Sequence, residues 1–93
     1  MEKLLINGME FDAYSVKFPK STLLFIGGSK GVLGCGYFNI ETADKVGEAI
    51  AVVTGVKNFD DMRQAKVIKL SAAAAALGIQ IGDSGEDVLA KIY

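Results

Sequence analysis

The dipeptide Asn7-Gly8 constrains this chain more than any other feature of its sequence. It lies between two apolar-rich stretches, 3–6 and 9–18, and supplies the positive φ angles that both central positions of a type I′ turn require. The sequence therefore predicts an N-terminal β-hairpin over residues 1–18. In its second arm the apolar alternation changes phase at Ala13-Tyr14, which predicts either a bulge or a strand that passes to a second partner.

A glycine-rich segment, residues 27–31, separates two further apolar runs and predicts a second hairpin. In the later run, residues 32–38, a period of two places Gly34 and Gly36 on one face of the strand. Two glycines inside a strand indicate close approach of another backbone or of a ligand. We predict that a helix packs there, and a ligand pocket is the alternative, which makes both glycines candidate ligand-binding residues.

Helix and strand signals alternate in the rest of the chain. The predicted elements are a helix capped by Thr42 with an apolar stripe through Ala43, Val46, Gly47 and Ile50, a buried strand over Ala51–Thr54, a helical turn capped by Asn58, a helix from Ser71 to Gly78, and a closing helix that begins at a capping box of Ser84 and Asp87. This succession predicts an α+β protein.

Size and composition exclude several classes of protein. The chain has 93 residues, which predicts a single domain over residues 1–93, and its net charge of −1 disfavours a nucleic-acid partner. The longest apolar run, Ala72–Leu77, cannot span a bilayer, and the first residues are too polar for a signal peptide. A hydrophobic content of 51% favours a homo-oligomer, and one unpaired cysteine favours the cytoplasm.

Cys35 is the candidate catalytic residue, because a thiol between two glycines is open to a substrate. The competing interpretation is a buried structural cysteine, since Leu33 and Tyr37 share its face of the predicted strand and are typical of a core. The chain contains no histidine, which removes the commonest general base and metal ligand. We therefore predict neither a metal nor a cofactor.

The loop before the closing helix is a second candidate ligand site. Asp83 and Ser84 lie at a helix N-terminus, where unpaired N–H groups bind anions. The charge of Asp83 opposes an anion, so helix capping is the favoured interpretation. The segment 27–31 lacks the spacing of a phosphate-binding P-loop and is interpreted as a hairpin turn.

Three segments together resemble the YunC-like family, a prokaryotic domain of unknown function. They are the Cys-Gly-Tyr run within 30–40, the Gly-Val-Lys-Asn-Phe-Asp-Asp run within 53–62, and Leu-Gly-Ile-Gln-Ile-Gly at 77–82. The resemblance covers about residues 18–92 and implies a two-layer α+β sandwich, with a mixed or antiparallel sheet and helices on one face. It also implies an N-terminal β region that forms a tetramer.

The resemblance implies no reaction, so function is predicted from the residues. We predict a homo-oligomer, a tetramer or a dimer, that serves as a binding or scaffolding module. The alternative is a small-molecule enzyme with Cys35 as its nucleophile.

Overall fold

The computed structural model of the protein describes residues 1–93 and contains six strands and four α-helices. The strands are β1 (Glu2–Ile6), β2 (Met9–Lys17), β3 (Thr22–Gly27), β4 (Val32–Gly34), β5 (Ile50–Val52) and β6 (Lys69–Leu70). The helices are α1 (Ile40–Val46), α2 (Phe59–Gln64), α3 (Ala72–Ala76) and α4 (Gly85–Ile92). None of the helices is long and apolar enough to cross a membrane.

The N-terminal hairpin has the predicted turn. Asn7 and Gly8 have φ angles of 52° and 79°, and β1 pairs antiparallel with β2 from Glu2 opposite Ala13 to Ile6 opposite Met9. Pairing of β2 with β3 then begins at Asp12 and continues without interruption to Lys17. Of the two predicted alternatives for the change of phase, the strand that passes to a second partner is therefore correct.

All six strands lie side by side in chain order in one sheet. The sheet is mixed, because β4 and β5 are parallel while every other neighbouring pair is antiparallel. Two parallel neighbours need a crossover connection, and α1 lies within the one that joins β4 to β5. The predicted α+β class is confirmed.

One face of the sheet forms the core. Alternate strand residues are buried there, and α2, α3 and α4 complete the cluster from the other layer. The contributing side chains include Phe11, Leu24, Ile26 and Leu33 from the strands and Met62, Ala74, Val88, Leu89 and Ile92 from these helices.

The other face carries a group of apolar side chains that we call the outer aromatic face: Tyr14, Val16, Leu23, Phe25 and Phe38. Tyr14 lies opposite Phe25 in the register, and their rings stack with centroids 4.5 Å apart. The Phe38 ring meets Phe25 edge-on at 5.4 Å. Val16 is 47% exposed, and the other four side chains are partly buried.

The predicted bounds of the first helix are wrong. Asn39 is the N-cap, and its Oδ1 accepts the backbone N–H of Thr42 at 3.2 Å, so Thr42 lies inside the helix. The helix ends at Gly47, whose φ of 81° gives a left-handed C-cap, and Ile50 is thereby free to begin β5. Of the predicted stripe only Ala43 is buried within the helix.

The predicted strand over residues 32–38 is also too long. It ends at Gly34, and Gly36 and Tyr37 form a turn in which the Phe38 N–H donates to the carbonyl of Cys35 at 3.2 Å. The two glycines therefore do not share a strand face, and Tyr37 is 53% exposed instead of joining the core.

The remaining helix starts are as predicted. Asn58, Ser71 and Ser84 are N-caps, and each side chain accepts a backbone N–H three residues ahead. Ser84 and Asp87 form a complete capping box. The predicted buried strand over Ala51–Thr54 corresponds to β5, which begins one residue earlier and ends two residues earlier than predicted.

Candidate functional site

A small cavity opens at the edge of the sheet where the parallel strands β4 and β5 both end. Parallel strands bring the loops that follow them to the same edge, so the residues after Gly34 meet the residues after Val52. The cavity has a volume of about 220 Å³ and we call it the Cys35 cavity. It is lined by Thr22, Cys35, Gly36, Tyr37, Thr54, Gly55 and Val56.

A wider depression adjoins the Cys35 cavity, and we call it the lysine groove. The two share Thr22, Gly55 and Val56. The groove has a volume of about 560 Å³, and its remaining lining residues are Lys17, Phe18, Lys20, Ser21 and Lys57. The cavity and the groove therefore form one continuous concave site with two parts.

An aromatic pair stands where the two parts meet. The rings of Phe18 and Tyr37 are edge-on with centroids 5.4 Å apart, and the Tyr37 hydroxyl is hydrogen-bonded to the hydroxyl of Ser21. These contacts connect the end of the N-terminal hairpin to the turn that follows β4. The pair supplies apolar surface beside the polar groove.

Cys35 lies in the wall of the Cys35 cavity and is buried, with 5% of its surface exposed. Its Sγ accepts the backbone N–H of Leu24 at 3.4 Å. No acidic or basic side chain lines the Cys35 cavity, so the structure provides no adjacent general base for this thiol. The burial agrees with the interpretation of Cys35 as a structural residue, although the residue also lines the cavity.

The structure separates the two candidate glycines. Gly36 lines the Cys35 cavity, and a methyl group added there would lie 3.3 Å from the Cγ2 of Thr54. A methyl group at Gly34 would lie 2.5 Å from the Cδ2 of Phe38. The close approach at Gly34 is thus made by an aromatic ring, and at Gly36 no helix atom lies within 4 Å of the added methyl group.

Asp83 and Ser84 lie outside this site and their hydrogen bonds are used within the fold. The Asp83 carboxylate accepts the N–H of Gln80 at 2.9 Å and the Nζ of Lys91 at 3.3 Å. These contacts, the Gln80 bond first, hold the pKa of Asp83 below its ordinary value against the effect of desolvation. Ser84 Oγ accepts the N–H of Asp87 at 3.1 Å, which is the capping interpretation.

A second polar cluster is structural. Arg63 on α2 donates twice to Glu86 on α4, at 2.8 and 3.1 Å, and the Asn7 amide donates to the same carboxylate at 2.9 Å. The hydrogen bonds from Arg63 are the main reason why the pKa of Glu86 lies below its ordinary value. The cluster joins the hairpin turn to both helices. The structure contains no group of three or more side chains that could hold a metal ion.

The sequence did not identify the lysines of the groove as a set. Lys17 ends β2, Lys20 lies in the turn before β3, and Lys57 precedes α2. Their only shared signal is that each stands at the edge of a predicted strand or in a loop. The order of the strands brings them together, and that order was not predicted.

The fold and the cavity define the class of protein: a small α+β protein with one mixed sheet and a concave site beyond the carboxyl ends of its parallel strands. A family model described as a domain of unknown function, DUF1805, matches residues 34–92. The match covers more than half of the chain, so the protein belongs to this family. The predicted resemblance is confirmed.

Two relatives extend the similarity to nearly the whole chain. The uncharacterized protein YunC of Bacillus subtilis (strain 168) is 29% identical in an alignment 93 positions long, which covers 96% of this chain and 92% of YunC. The crystal structure of a protein of unknown function, TA1206 from Thermoplasma acidophilum, matches with a TM-score of 0.93 at 40% identity, covering 99% of this chain and 90% of that chain. The N-terminal hairpin is therefore part of the shared fold.

Proposed function

We propose that the protein is a homo-oligomeric binding module whose copies associate through the outer aromatic face. The observation that carries this proposal is a group of apolar side chains on the sheet face opposite the core cluster. Tyr14, Phe25 and Phe38 form a continuous ring cluster, and Val16 beside it is 47% exposed. Contiguous apolar surface of this kind is typical of a protein interface.

A second copy of the chain is the occupant that the charges favour. At the hairpin end of the same sheet face, Lys3 pairs with Asp12 at 2.5 Å and lies 3.9 Å from Glu10, so the charge of Lys3 is compensated within the chain. An apolar centre with an internally paired charged border is self-complementary, as a two-fold interface requires. A dimer through this face, or a tetramer built from two such dimers, follows.

Sedimentation velocity at micromolar concentration tests the association. We expect the wild-type protein to sediment as a dimer or tetramer and Val16→Lys to shift it towards the monomer, because the substitution places a charge in the apolar face. Val46→Lys is the matched control, since Val46 is 69% exposed on α1 and lies outside this face.

Circular dichroism of both variants checks that they are folded. A monodisperse wild-type monomer, or equal dissociation by both lysine substitutions, would overturn the proposed interface.

The second candidate function is a small-molecule enzyme with Cys35 as its nucleophile. The wall position of the thiol in the Cys35 cavity supports it, while burial and the absence of an adjacent base weigh against it. Treatment of the native protein with iodoacetamide, followed by mass spectrometry, distinguishes a reactive nucleophile from a buried structural cysteine. A reactive nucleophile would be modified in the native state, and modification only after denaturation would exclude it.

We also propose that the protein acts in the cytoplasm, because its one cysteine has no internal partner and a free thiol persists in a reducing compartment. Fractionation of cells that express the full chain tests this location. Recovery in the membrane or extracellular fraction would contradict it.

A further inference from the structure

The lysine groove is positively charged and contains no compensating carboxylate. Lys17, Lys20 and Lys57 all line it, and no acidic residue does. The ion pairs of the protein involve only Lys3, Arg63 and Lys91 among its basic residues, so none of the groove lysines has a carboxylate within 4.0 Å. This separation of charge occurs in a chain whose net charge is −1.

Backbone N–H groups add to the positive electrostatic potential of the site. The N–H groups of Gly55 and Val56 donate to no backbone carbonyl, and both residues line the lysine groove as well as the Cys35 cavity. Gly55 has a φ of 73°, the left-handed conformation that occurs in backbone nests for anions. Water satisfies such donors in the free protein, and an anion with several oxygens can replace it.

The carboxylate of Asp61 lies close to the backbone of Lys57, which lines the lysine groove. It accepts the backbone N–H of Lys57 at 3.0 Å and thereby fixes the loop at the start of α2. Asp61 does not line the groove or the cavity, and Asn58 Oδ1 also fixes this loop by accepting the N–H of Asp61 at 2.8 Å. The Lys57 ammonium is thus left without an ion-pair partner.

We propose that the groove and the cavity together bind a small phosphate monoester. The phosphate would lie in the lysine groove, and the organic part would enter the Cys35 cavity. Three ammonium groups without an ion-pair partner favour a dianion such as a phosphate monoester over a singly charged carboxylate, and lysine binds phosphate as a point charge.

The size of the site limits the ligand. At about 220 Å³ the Cys35 cavity is smaller than the ~300–1,000 Å³ of pockets for drug-sized ligands, so we expect the organic part to be a short polyol or a similar small group. Hydroxyls of Thr22 and Thr54 and the apolar edge of Tyr37 in its lining suit such a group. The proposal rests on the binding part of the proposed function and does not require self-association.

Isothermal titration calorimetry with glycerol 3-phosphate tests the proposal on the full chain, at fixed ionic strength. Inorganic phosphate, glycerol and glycerate are the comparison probes. We expect saturable binding of glycerol 3-phosphate, weaker binding of inorganic phosphate, and none of glycerol. Binding of glycerate as tight as that of the phosphate ester would overturn the phosphate assignment while leaving a binding module in place.

A pair of double variants with equal charge change provides the control. Lys20→Gln with Lys57→Gln should weaken glycerol 3-phosphate binding at least tenfold, and Lys45→Gln with Lys66→Gln should leave it within about twofold, since neither of the latter lysines lines the groove. An equal loss in both double variants would show attraction by net charge alone and would overturn the site.

Sedimentation of the same samples keeps the two proposals distinct. Absence of saturable binding to every phosphate probe by a protein that still forms dimers or tetramers refutes the phosphate site alone. Binding by a protein that sediments as a monomer refutes the oligomer alone.

Discussion

Replacement by alanine of Gly34, at the end of β4, or of Gly36, in the turn that follows, gives a matched pair of variants with opposite expected outcomes. The added methyl group in Gly34→Ala would lie 2.5 Å from Cδ2, 2.9 Å from Cγ and 3.0 Å from Cε2 of Phe38. In Gly36→Ala the only neighbour within 4 Å is the Cγ2 of Thr54, at 3.3 Å. The same chemical change therefore meets a ring in one case and a single methyl group in the other.

The expected magnitudes follow from these distances. The Phe38 ring cannot retreat freely, because it packs edge-on against Phe25 at 5.4 Å. Overpacking of this kind costs about 1–3 kcal/mol, and each kcal/mol corresponds to about 4–8 °C in the melting temperature of a domain of this size. For Gly36→Ala a small shift of Thr54 suffices, and the lower entropy of the unfolded chain offsets it by about 0.4–1 kcal/mol.

Urea denaturation followed by far-UV circular dichroism measures both variants. We expect a lower midpoint for Gly34→Ala and a midpoint close to that of the wild type for Gly36→Ala. A Gly34→Ala protein as stable as the wild type would refute the account of Phe38 packing. A Gly36→Ala protein destabilised as much as Gly34→Ala would show that this position is packed and is not the wall of a cavity.

Two further predictions concern the start of α4, one for its N-cap Ser84 and one for Glu86 in its first turn. Ser84→Ala removes the N-cap of α4 and should cost about 1 kcal/mol in urea denaturation, whereas Ser29→Ala in the exposed loop after β3 should be neutral. The pKa of Glu86 is lower in the folded than in the unfolded state, so its stabilising effect is complete above the ordinary carboxyl pKa and is lost as the pH falls through the folded value. The melting temperature of Glu86→Gln should therefore lie below that of the wild type at pH 6, and the difference should shrink towards pH 3; a constant difference would contradict this linkage.

Local signals predicted much of the fold because their physical cause is local. Asn7-Gly8 specified its turn through backbone φ angles alone, and Ser84 with Asp87 specified a helix start through two hydrogen bonds three residues apart. The errors have a local origin too. Asn39 and Thr42 are both good N-caps, and Gly47 was interpreted as part of an apolar stripe although its left-handed φ ends the helix.

The candidate site was harder to predict because it depends on the order of strands. Cys35 and Gly36 were identified, but the period of two was continued past the end of β4 and so grouped Gly36 with Gly34. Thr54 and Lys57 come to the same place only because β5 runs parallel to β4. No local pattern in the sequence distinguishes this arrangement from an antiparallel one.

The alternation of side chains along β2 places the proposed association surface and the proposed ligand site on opposite sides of one strand. Val16 lies opposite Leu23 on the outer aromatic face, and Lys17, the next residue, lines the lysine groove on the other side of the strand. The two surfaces therefore meet at the end of one strand without sharing a side chain. Phe18 follows directly and its ring contacts Tyr37, which joins the end of this strand to the aromatic pair beside the Cys35 cavity.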